Sequence, residues 1–373
     1  MEHDVVAIAR CFALRGQPIA FEPITAGHIN DTYVLTTADD EKTCRYVLQR
    51  INRHVFKDPP QVMANIVCVT EHVRAKLLAV DPALAQRQLT VIPTRDGLAY
   101  HRDPDGNFWR VYAYVENAVT YDTVSSVALA REAARMFGLF QKLLRDLPGP
   151  ALYETIPGFH DTPRRLDYFQ QILAKDCANR ARGAAIEIDF VLKNGGICGV
   201  LPDLVAKGEL PIRIAHNDAK INNVMLDETT GAGVCLIDLD TVMPGLSVYD
   251  FGDLVRTAGC LAAEDEPDLS KVVLDISLFG ALAQGFAEET GQFLAQSERG
   301  HLVFGGKLIT FEQMIRFLTD HLAGDVYYKV HHEGHNLDRA RTQMQLVQSI
   351  TEQEESLNQL VERAFQNSPG ETN

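Results

Sequence analysis

The feature that most constrains the fold of this 373-residue chain is a pair of short apolar runs near its middle, separated by turn-forming residues. Residues 224–226 and 234–237 have the apolar, partly β-branched composition of strands, and the Thr-Thr-Gly-Ala-Gly segment at 229–233 is typical of a turn. The pattern predicts an antiparallel hairpin. Because a hairpin brings the residue that enters it beside the residue that leaves it, Asn223 and Asp238 should be neighbours in space.

The residues before the hairpin add a second carboxylate and a basic group. Asp218 and Lys220 follow a short apolar strand at 212–215, and Asp218 precedes Asn223 by five residues. We expect Asn223 and Asp238 to offer oxygen ligands to one Mg²⁺. Asp218 would accept or orient the proton of a substrate hydroxyl, and Lys220 would steady a transferred phosphoryl group. The order His-x-Asp-x-Lys-x-x-Asn, then a hairpin, then Asp, is typical of kinases and predicts phosphoryl transfer.

Residues 216–223 resemble the aminoglycoside phosphotransferase and choline-kinase-like family of small-molecule kinases. The longer run 216–253 is similar to the N-acetylhexosamine 1-kinase branch of that family. Four other segments are similar to this branch: AGHINDTYVL at 26–35, YVLQRIN at 46–52, ETIPGFHDTPRRL at 154–166 and RFLTDHLAGDVYYKV at 316–330. The resemblance implies ATP as donor, Mg²⁺, and an α+β, two-lobed protein-kinase-like fold.

The length of the chain allows two lobes, each with its own core. We expect a small, mostly antiparallel β lobe that binds the nucleotide at residues 1–117, and a larger, mainly helical catalytic and substrate-binding lobe at residues 118–373.

The strand at 46–51 lies where kinases usually carry a phosphate-binding lysine, but it contains no lysine. Arg50 could replace it, because its permanent charge and paired donors suit phosphate oxygens. Alternation along the strand could instead turn Gln49 toward the nucleotide. The sequence leaves both residues as candidates, with a slight preference for Arg50.

The apolar run at 109–117 ends the first lobe. In kinase-like folds such a strand leads into a hinge whose backbone groups hydrogen-bond adenine. Tyr114, Val115 and Glu116 would occupy that place.

The resemblance to the sugar-kinase branch also implies an acceptor pocket. Arg316 and Tyr327 would supply a donor and a ring, and His28, Ile29 and Thr257 would line the site. The acceptor would be the anomeric hydroxyl of N-acetylglucosamine, N-acetylgalactosamine or a related hexose. Members of the branch often carry a bulkier residue than Thr257, so the choice of sugar stays open. The alternatives are an aminoglycoside or other amino-alcohol kinase, and a non-catalytic nucleotide-binding protein.

The composition narrows the possible partners. A net charge of −15 argues against binding to a nucleic-acid backbone or an anionic membrane surface. The start of the chain lacks the pattern of a signal peptide, and no uncharged apolar run approaches about 18 residues. The seven scattered cysteines form no Cys-x-x-Cys pair, which indicates free thiols. We therefore expect a cytoplasmic protein whose partners are a nucleotide and a small sugar.

Other motifs receive structural interpretations. Asp250-Phe251-Gly252 matches the kinase metal-binding motif in letters, but it lies too far from Asn223 without a second hairpin, so Asp250 and Asp253 are expected to support the loop. Residues 300–308 are predicted to form a turn, and residues 155–165 a solvated loop. Asn336 is expected to cap one long helix that ends near residue 365.

Overall fold

The computed structural model describes residues 4–24, 29–148 and 152–368. Within these ranges an antiparallel sheet with a few helices is followed by a larger, mainly helical region. The predicted two-lobed, kinase-like α+β fold is confirmed.

The strands of the described ranges are β1 (Gln17–Ile24), β2 (Asp31–Ala38), β3 (Thr43–Ile51), β4 (Val91–Ile92), β5 (His101–Arg102), β6 (Phe108–Ala113), β7 (Ala118–Val119), β8 (Arg213–Ala215), β9 (Val224–Asp227), β10 (Gly233–Leu236) and β11 (Met243–Gly245). In the first lobe the order is β1-β2-β3-β6-β4, and β5 pairs with β6. All of these pairings are antiparallel. β7 pairs with β9 of the central hairpin, and on this basis we propose that the lobe boundary lies at residues 117–118.

The helices of the same ranges are α1 (Val5–Ala9), α2 (Pro59–Val80), α3 (Pro82–Gln86), α4 (Val127–Leu144), α5 (Thr162–Lys175), α6 (Ala185–Asn194), α7 (Val200–Ala206), α8 (Ser247–Ala258), α9 (Ile276–Thr290), α10 (Gln296–Arg299), α11 (Leu302–Ala323), α12 (His335–Glu352) and α13 (Glu354–Gln366). α2 begins where the sequence predicts, since the Asp58 side chain accepts a hydrogen bond from the Gln61 N–H. Its buried stripe then packs into the core that both lobes share.

The first-lobe sheet has two different faces because side chains alternate along its strands. Leu48 and Trp109 point to one face and pack against Phe12 in a small core. Ile51 and Phe108 point to the other face and join the large core. Residues on this second face therefore look toward the helical lobe.

The helical lobe departs from the sequence predictions at its C-terminal end. The segment 300–308 is not a turn, because α11 begins at Leu302. The predicted long helix is two helices, α12 and α13, which meet at Gln353. Asn336 does not cap α12. It lies in the first turn, and its amide donates to Asp320 and Asp325 at 2.9 Å each, holding the end of α11 against the start of α12.

Candidate active site

The predicted hairpin is present. β9 and β10 pair with Leu236 opposite Val224, and the Ile237 N–H donates to the Asn223 carbonyl at 2.9 Å. Asn223 and Asp238 therefore lie at the same end of the hairpin. Asp238 has a left-handed backbone with a φ of 58°, and Asn217 in the preceding loop has a φ of 62°. Asn and Asp tolerate this conformation better than most residues, which explains why these types stand here.

Asp218 is bonded to two of the polar residues that follow it in the loop, Lys220 and Asn223. The Lys220 Nζ lies 2.9 Å from Asp218 Oδ2. The Asn223 Nδ2 donates to the Asp218 carbonyl at 2.8 Å and to Asp218 Oδ2 at 3.2 Å. Because the amide nitrogen of Asn223 is engaged in this way, its amide oxygen is the atom suited to bind a metal.

Asp218, Lys220 and Asp238 shift one another's pKa values. About 24% of the Asp218 side chain is exposed, and it lines the cavity described below. Burial alone would raise the pKa of Asp218, but the charge and hydrogen bond of Lys220 outweigh it and lower the pKa. Burial would lower the pKa of Lys220, but Asp218 and Asp238 raise it. At neutral pH the pair is an aspartate and an ammonium.

The pKa of Asp238 is raised, whereas that of Asp218 is lowered. Its carboxylate is open to the cleft, yet the surrounding protein and the negative charges of Asp240 and Asp218 raise its pKa to about 6. A carboxylate that two neighbouring carboxylates repel is one that a bound cation would favour.

Asp250 supports the loop at residues 216–223, which carries Asp218, from behind. Its two oxygens accept the backbone N–H groups of His216 at 3.0 Å and Asn217 at 2.8 Å. The Gln141 side chain on α4 donates to the same carboxylate at 2.6 Å. This is the supporting position that the sequence predicts. Asp253 is bonded by Arg256 at 2.7 Å within α8.

The structure shows a buried ion pair that the sequence analysis missed. Arg110 on β6 makes a two-pronged contact with Asp240, including a 2.9 Å bond from Nη2, and both side chains are only 1% exposed. Asn30 donates to the same carboxylate at 2.8 Å. Asn30 and Arg110, both in the first lobe, thus bind Asp240, which lies two positions after Asp238. An arginine inside an apolar strand run was the available signal, since a buried charge needs a partner.

Gln49 and Arg50 point to opposite faces of the first-lobe sheet. Gln49 pairs across the strands with Arg110 and accepts its Nε–H at 2.9 Å, so Gln49 looks toward the cleft. Arg50 is turned to the other face, where its Nε donates to Asp31 at 2.7 Å. Strand alternation therefore favours Gln49 over Arg50 as the side chain on the nucleotide side, and the phosphate contact itself stays a prediction.

Part of the predicted hinge is already engaged within the protein. The Tyr114 N–H donates to the Arg45 carbonyl at 3.2 Å, and the Glu116 carbonyl accepts from Arg87 at 3.1 Å. Val115 packs against the buried pair Val234 and Cys235 of the hairpin. The adenine contact at 114–116 stays a prediction, and it would have to use other backbone groups of this segment.

The cleft next to Asp218 is a cavity of about 470 Å³. Four of the predicted acceptor residues line it together with Asp218, Lys220 and Asp238: Ile29, Thr257, Arg316 and Tyr327. His28 lies outside the described residues. Arg316 donates to Gln313 at 2.9 Å and lies over the rings of Phe159 at 5.9 Å and Tyr328 at 5.6 Å.

The segment 155–165 is not a solvated loop. His160 is buried, with one ring nitrogen 3.0 Å from Glu312 Oε1 and the other 2.9 Å from the Asn217 carbonyl. Thr162 donates to Glu312 at 2.6 Å. Burial alone would raise the pKa of Glu312, but His160 and Arg165 outweigh it and lower the pKa to about 2. The segment thus links α11 to the loop that carries Asp218.

Comparison with known proteins agrees with this architecture. A family model described as "Phosphotransferase enzyme family" matches residues 20–282. An aminoglycoside phosphotransferase structure from Alicyclobacillus acidocaldarius matches with a TM-score of 0.61 at 15% identity over 96% of each chain. A choline kinase structure from Cryptosporidium parvum matches with a TM-score of 0.52 at 15% identity over 97% of this chain and 99% of that one. A spectinomycin phosphotransferase in complex with ADP and spectinomycin has a TM-score of 0.52 at 13% identity, over 94% and 93%.

Fold and site together define a kinase-like phosphotransferase with a hydroxyl acceptor. The chain belongs to the phosphotransferase enzyme family of aminoglycoside phosphotransferases and choline-kinase-like enzymes. Within the described residues, no helix is long and apolar enough to cross a membrane.

Proposed function

We propose that this enzyme transfers the γ-phosphoryl group of ATP to the anomeric hydroxyl of an N-acetylhexosamine, such as N-acetylglucosamine or N-acetylgalactosamine, or of a related hexose, in the cytoplasm. The ADP bound to the similar spectinomycin phosphotransferase supports ATP as donor. The resemblance of residues 216–253 and 316–330 to sugar 1-kinases supports the acceptor.

Asp218 would orient the acceptor hydroxyl and take its proton as the new bond to phosphorus forms. Its hydrogen bond from Lys220 supports this role by keeping the carboxylate ionised near neutral pH. Lys220 would in turn steady negative charge on the transferred group. Positioning and charge compensation would supply most of the rate enhancement, as is general for phosphoryl transfer.

Asn223 and Asp238 fit a Mg²⁺ site. They offer an amide oxygen and an open carboxylate at one end of the hairpin, and Mg²⁺ commonly takes one or two protein ligands and completes its shell with phosphates and water. Bound there with the nucleotide, Mg²⁺ would neutralise phosphate charge. Its positive charge would also favour the ionised form of Asp238, whose neighbours otherwise raise its pKa.

The observation that favours a sugar over a cationic acceptor is the position of Arg316. Its guanidinium already lies over the Phe159 and Tyr328 rings that could otherwise hold an ammonium group. Glu264, a carboxylate of the same cavity, accepts a 2.8 Å bond from Arg256. An ammonium group of an aminoglycoside or choline would therefore meet the Arg316 guanidinium at these rings, whereas a sugar hydroxyl would meet a hydrogen-bond donor.

The test is ADP release by the purified protein with Mg-ATP and a matched panel: N-acetylglucosamine, N-acetylgalactosamine, glucose, galactose, kanamycin, spectinomycin, choline and ethanolamine. We expect turnover with the sugars and loss of the reducing end in the product, because the anomeric hydroxyl is consumed. Turnover confined to the amino compounds would establish the amino-alcohol reading, and binding of ATP without any turnover would establish a nucleotide-binding protein.

The Arg316→Met variant sharpens this test. It keeps an unbranched, flexible side chain but removes the guanidinium charge and donors, so KM for the sugar should rise about tenfold or more while KM for ATP changes little. An unchanged KM for every sugar would exclude Arg316 from the acceptor site.

A further inference from the structure

The segment 158–163, Gly-Phe-His-Asp-Thr-Pro, contains a histidine without a role in the proposed reaction. Only 8% of the His160 side chain is exposed. The residues on either side fix its backbone. Gly158 has a left-handed conformation with a φ of 67°, which glycine adopts without strain. Asp161 caps α5 by accepting a backbone N–H of its first turn at 3.0 Å. His160 thus stands between a tight turn and a capped helix.

Both ring nitrogens of His160 face hydrogen-bond acceptors. Nε2 lies 2.9 Å from the carbonyl oxygen of Asn217, and Nδ1 lies 3.0 Å from Glu312 Oε1 on α11. Because a backbone carbonyl can only accept, the Nε2–H donates to it. The side chain therefore bridges α11 and the residue that precedes Asp218.

Aromatic rings hold the imidazole of His160 on two sides. Its centroid lies 4.8 Å from that of Phe159 and 4.7 Å from that of Tyr249 on α8. Phe159 also lines the cavity, and the Arg316 guanidinium lies 5.9 Å from its ring. The wall of the proposed acceptor site and the bond to the loop thus come from two successive residues.

The bond from His160 acts on the peptide unit that leads into Asp218. Asp250 accepts the Asn217 N–H at 2.8 Å, and the Asn217 side chain donates to the Thr241 carbonyl at 3.0 Å. These bonds hold Asn217 itself, whereas His160 holds the oxygen of the next peptide unit. Because a peptide unit is planar from one Cα to the next, fixing that oxygen orients the Cα of Asp218.

The two nitrogens of the ring have different consequences. Glu312 keeps a 2.6 Å bond from Thr162 and a 3.3 Å contact from Arg165 when Nδ1 is lost, so that contact contributes mainly to the packing of α11. Loss of the Nε2 bond instead frees the carbonyl of Asn217. The peptide plane before Asp218 can then rotate while the bond from Asp250 stays in place.

We propose that His160 is a positioning residue for Asp218. Its Nε2–H fixes the peptide unit before the general base against α11, the helix that also carries Arg316. This inference rests on the proposed role of Asp218. His160 is not among the described residues that line the cavity, so its loss should slow the chemical step and leave the binding of both substrates nearly unchanged.

The test uses two substitutions that each keep one of the two hydrogen bonds. The amide nitrogen of glutamine can take the place of Nε2, and that of asparagine the place of Nδ1. His160→Asn should lower kcat for N-acetylglucosamine at least about tenfold, because a displaced general base loses its alignment. KM for the sugar and for Mg-ATP should stay within about threefold of the wild type. His160→Gln should keep kcat within about threefold.

His72 on α2 offers a matched control. Its Nε2 lies 3.0 Å from the Leu143 carbonyl, so His72→Asn removes a histidine–carbonyl bond of similar length away from the cavity lining. This variant should keep the wild-type kcat. Urea midpoints of the three variants separate a loss of rate from a loss of stability.

Hydrogen exchange in the loop gives a readout that needs no acceptor. Mass spectrometry of peptides that cover residues 213–223 compares the wild type with the three variants. Loss of one hydrogen bond should make exchange there about tenfold faster in His160→Asn. His160→Gln and His72→Asn should exchange like the wild type.

The outcomes separate this inference from the proposed function. If the wild type phosphorylates no sugar, the proposed function fails, yet faster loop exchange confined to His160→Asn would still support the positioning role. If sugars are phosphorylated but folded His160→Asn keeps the wild-type kcat or the wild-type loop exchange, the positioning role is overturned and the function stands. A folded His160→Gln variant that loses as much kcat as His160→Asn would also overturn it, and this variant decides alone if His160→Asn does not fold.

Discussion

The ion pair between Arg110 and Asp240 gives the sharpest prediction about what holds the two lobes together. Arg110→Met removes the guanidinium but keeps much of the side-chain volume. Asp240 then stays buried with only the Asn30 hydrogen bond of its former side-chain contacts. Breaking a buried ion pair from one side generally costs about 3–5 kcal/mol, because it leaves an uncompensated charge. The remaining Asn30 bond places our expectation near the lower end, at about 3 kcal/mol.

The chain offers a matched control on the neighbouring strand. Arg50 is also a first-lobe arginine paired with an aspartate, but both partners of the Arg50–Asp31 pair are substantially exposed. Arg50→Met should therefore cost less than about 1 kcal/mol. Comparing the two variants separates the effect of burial from the effect of losing an arginine.

The assay is urea unfolding of the wild type and variants, followed by fluorescence and circular dichroism and compared at a common denaturant slope. The double variant Arg110→Met/Asp240→Leu removes both buried charges, so it should recover at least about 2 kcal/mol relative to Arg110→Met alone. The reasoning is refuted if Arg110→Met is no more destabilising than Arg50→Met, or if the double variant is as unstable as the sum of its single changes.

Three further predictions concern chemistry and pH. Asp218→Asn should reduce kcat by at least about 100-fold while ATP still binds, because the general base is lost but the nucleotide contacts are not; wild-type turnover in this variant would remove Asp218 from its role. Asp238→Asn should raise the Mg²⁺ concentration needed for half-maximal activity, as measured by metal titration, and an unchanged titration would contradict the assigned ligand. Glu312 has a folded pKa of about 2, below its ordinary value, so its stabilisation is present above pH 4.5 and is lost as pH falls toward 2. The wild type should thus lose about 3 kcal/mol over this range that Glu312→Gln does not lose, as seen in urea midpoints against pH, and parallel curves would contradict it.

The sequence predicts the parts of this site that are local in the chain. The hairpin follows from two apolar runs and a glycine-containing turn within 14 residues, and the neighbouring positions of Asn223 and Asp238 follow from the hairpin. The supporting position of Asp250 was also predictable, since the chain between it and Asp238 offered no way back to the metal.

The parts that were missed join residues far apart in sequence. Arg110 and Asp240 are 130 positions apart, and His160 and Glu312 are 152 apart. Local sequence shows that Arg110 and Glu312 stand among apolar residues, but it shows neither which partner compensates their charge nor that His160 is buried. The sequence left the choice between Gln49 and Arg50 open for a related reason, because the choice depends on which face of the strand meets the second lobe.

The contacts of Asp250 have a consequence for how this enzyme can diversify. The loop that carries Asp218 is anchored through His216 and Asn217 to α8 and α4, whereas Arg316 and a large part of the cavity wall come from α11 and α12. Under the proposed function, reaction and much of the recognition are carried by different helices, and α8 contributes to both through Asp250 and Thr257. Substitutions on α11 and α12 would then change the acceptor while the loop that carries Asp218 keeps its support from α8 and α4.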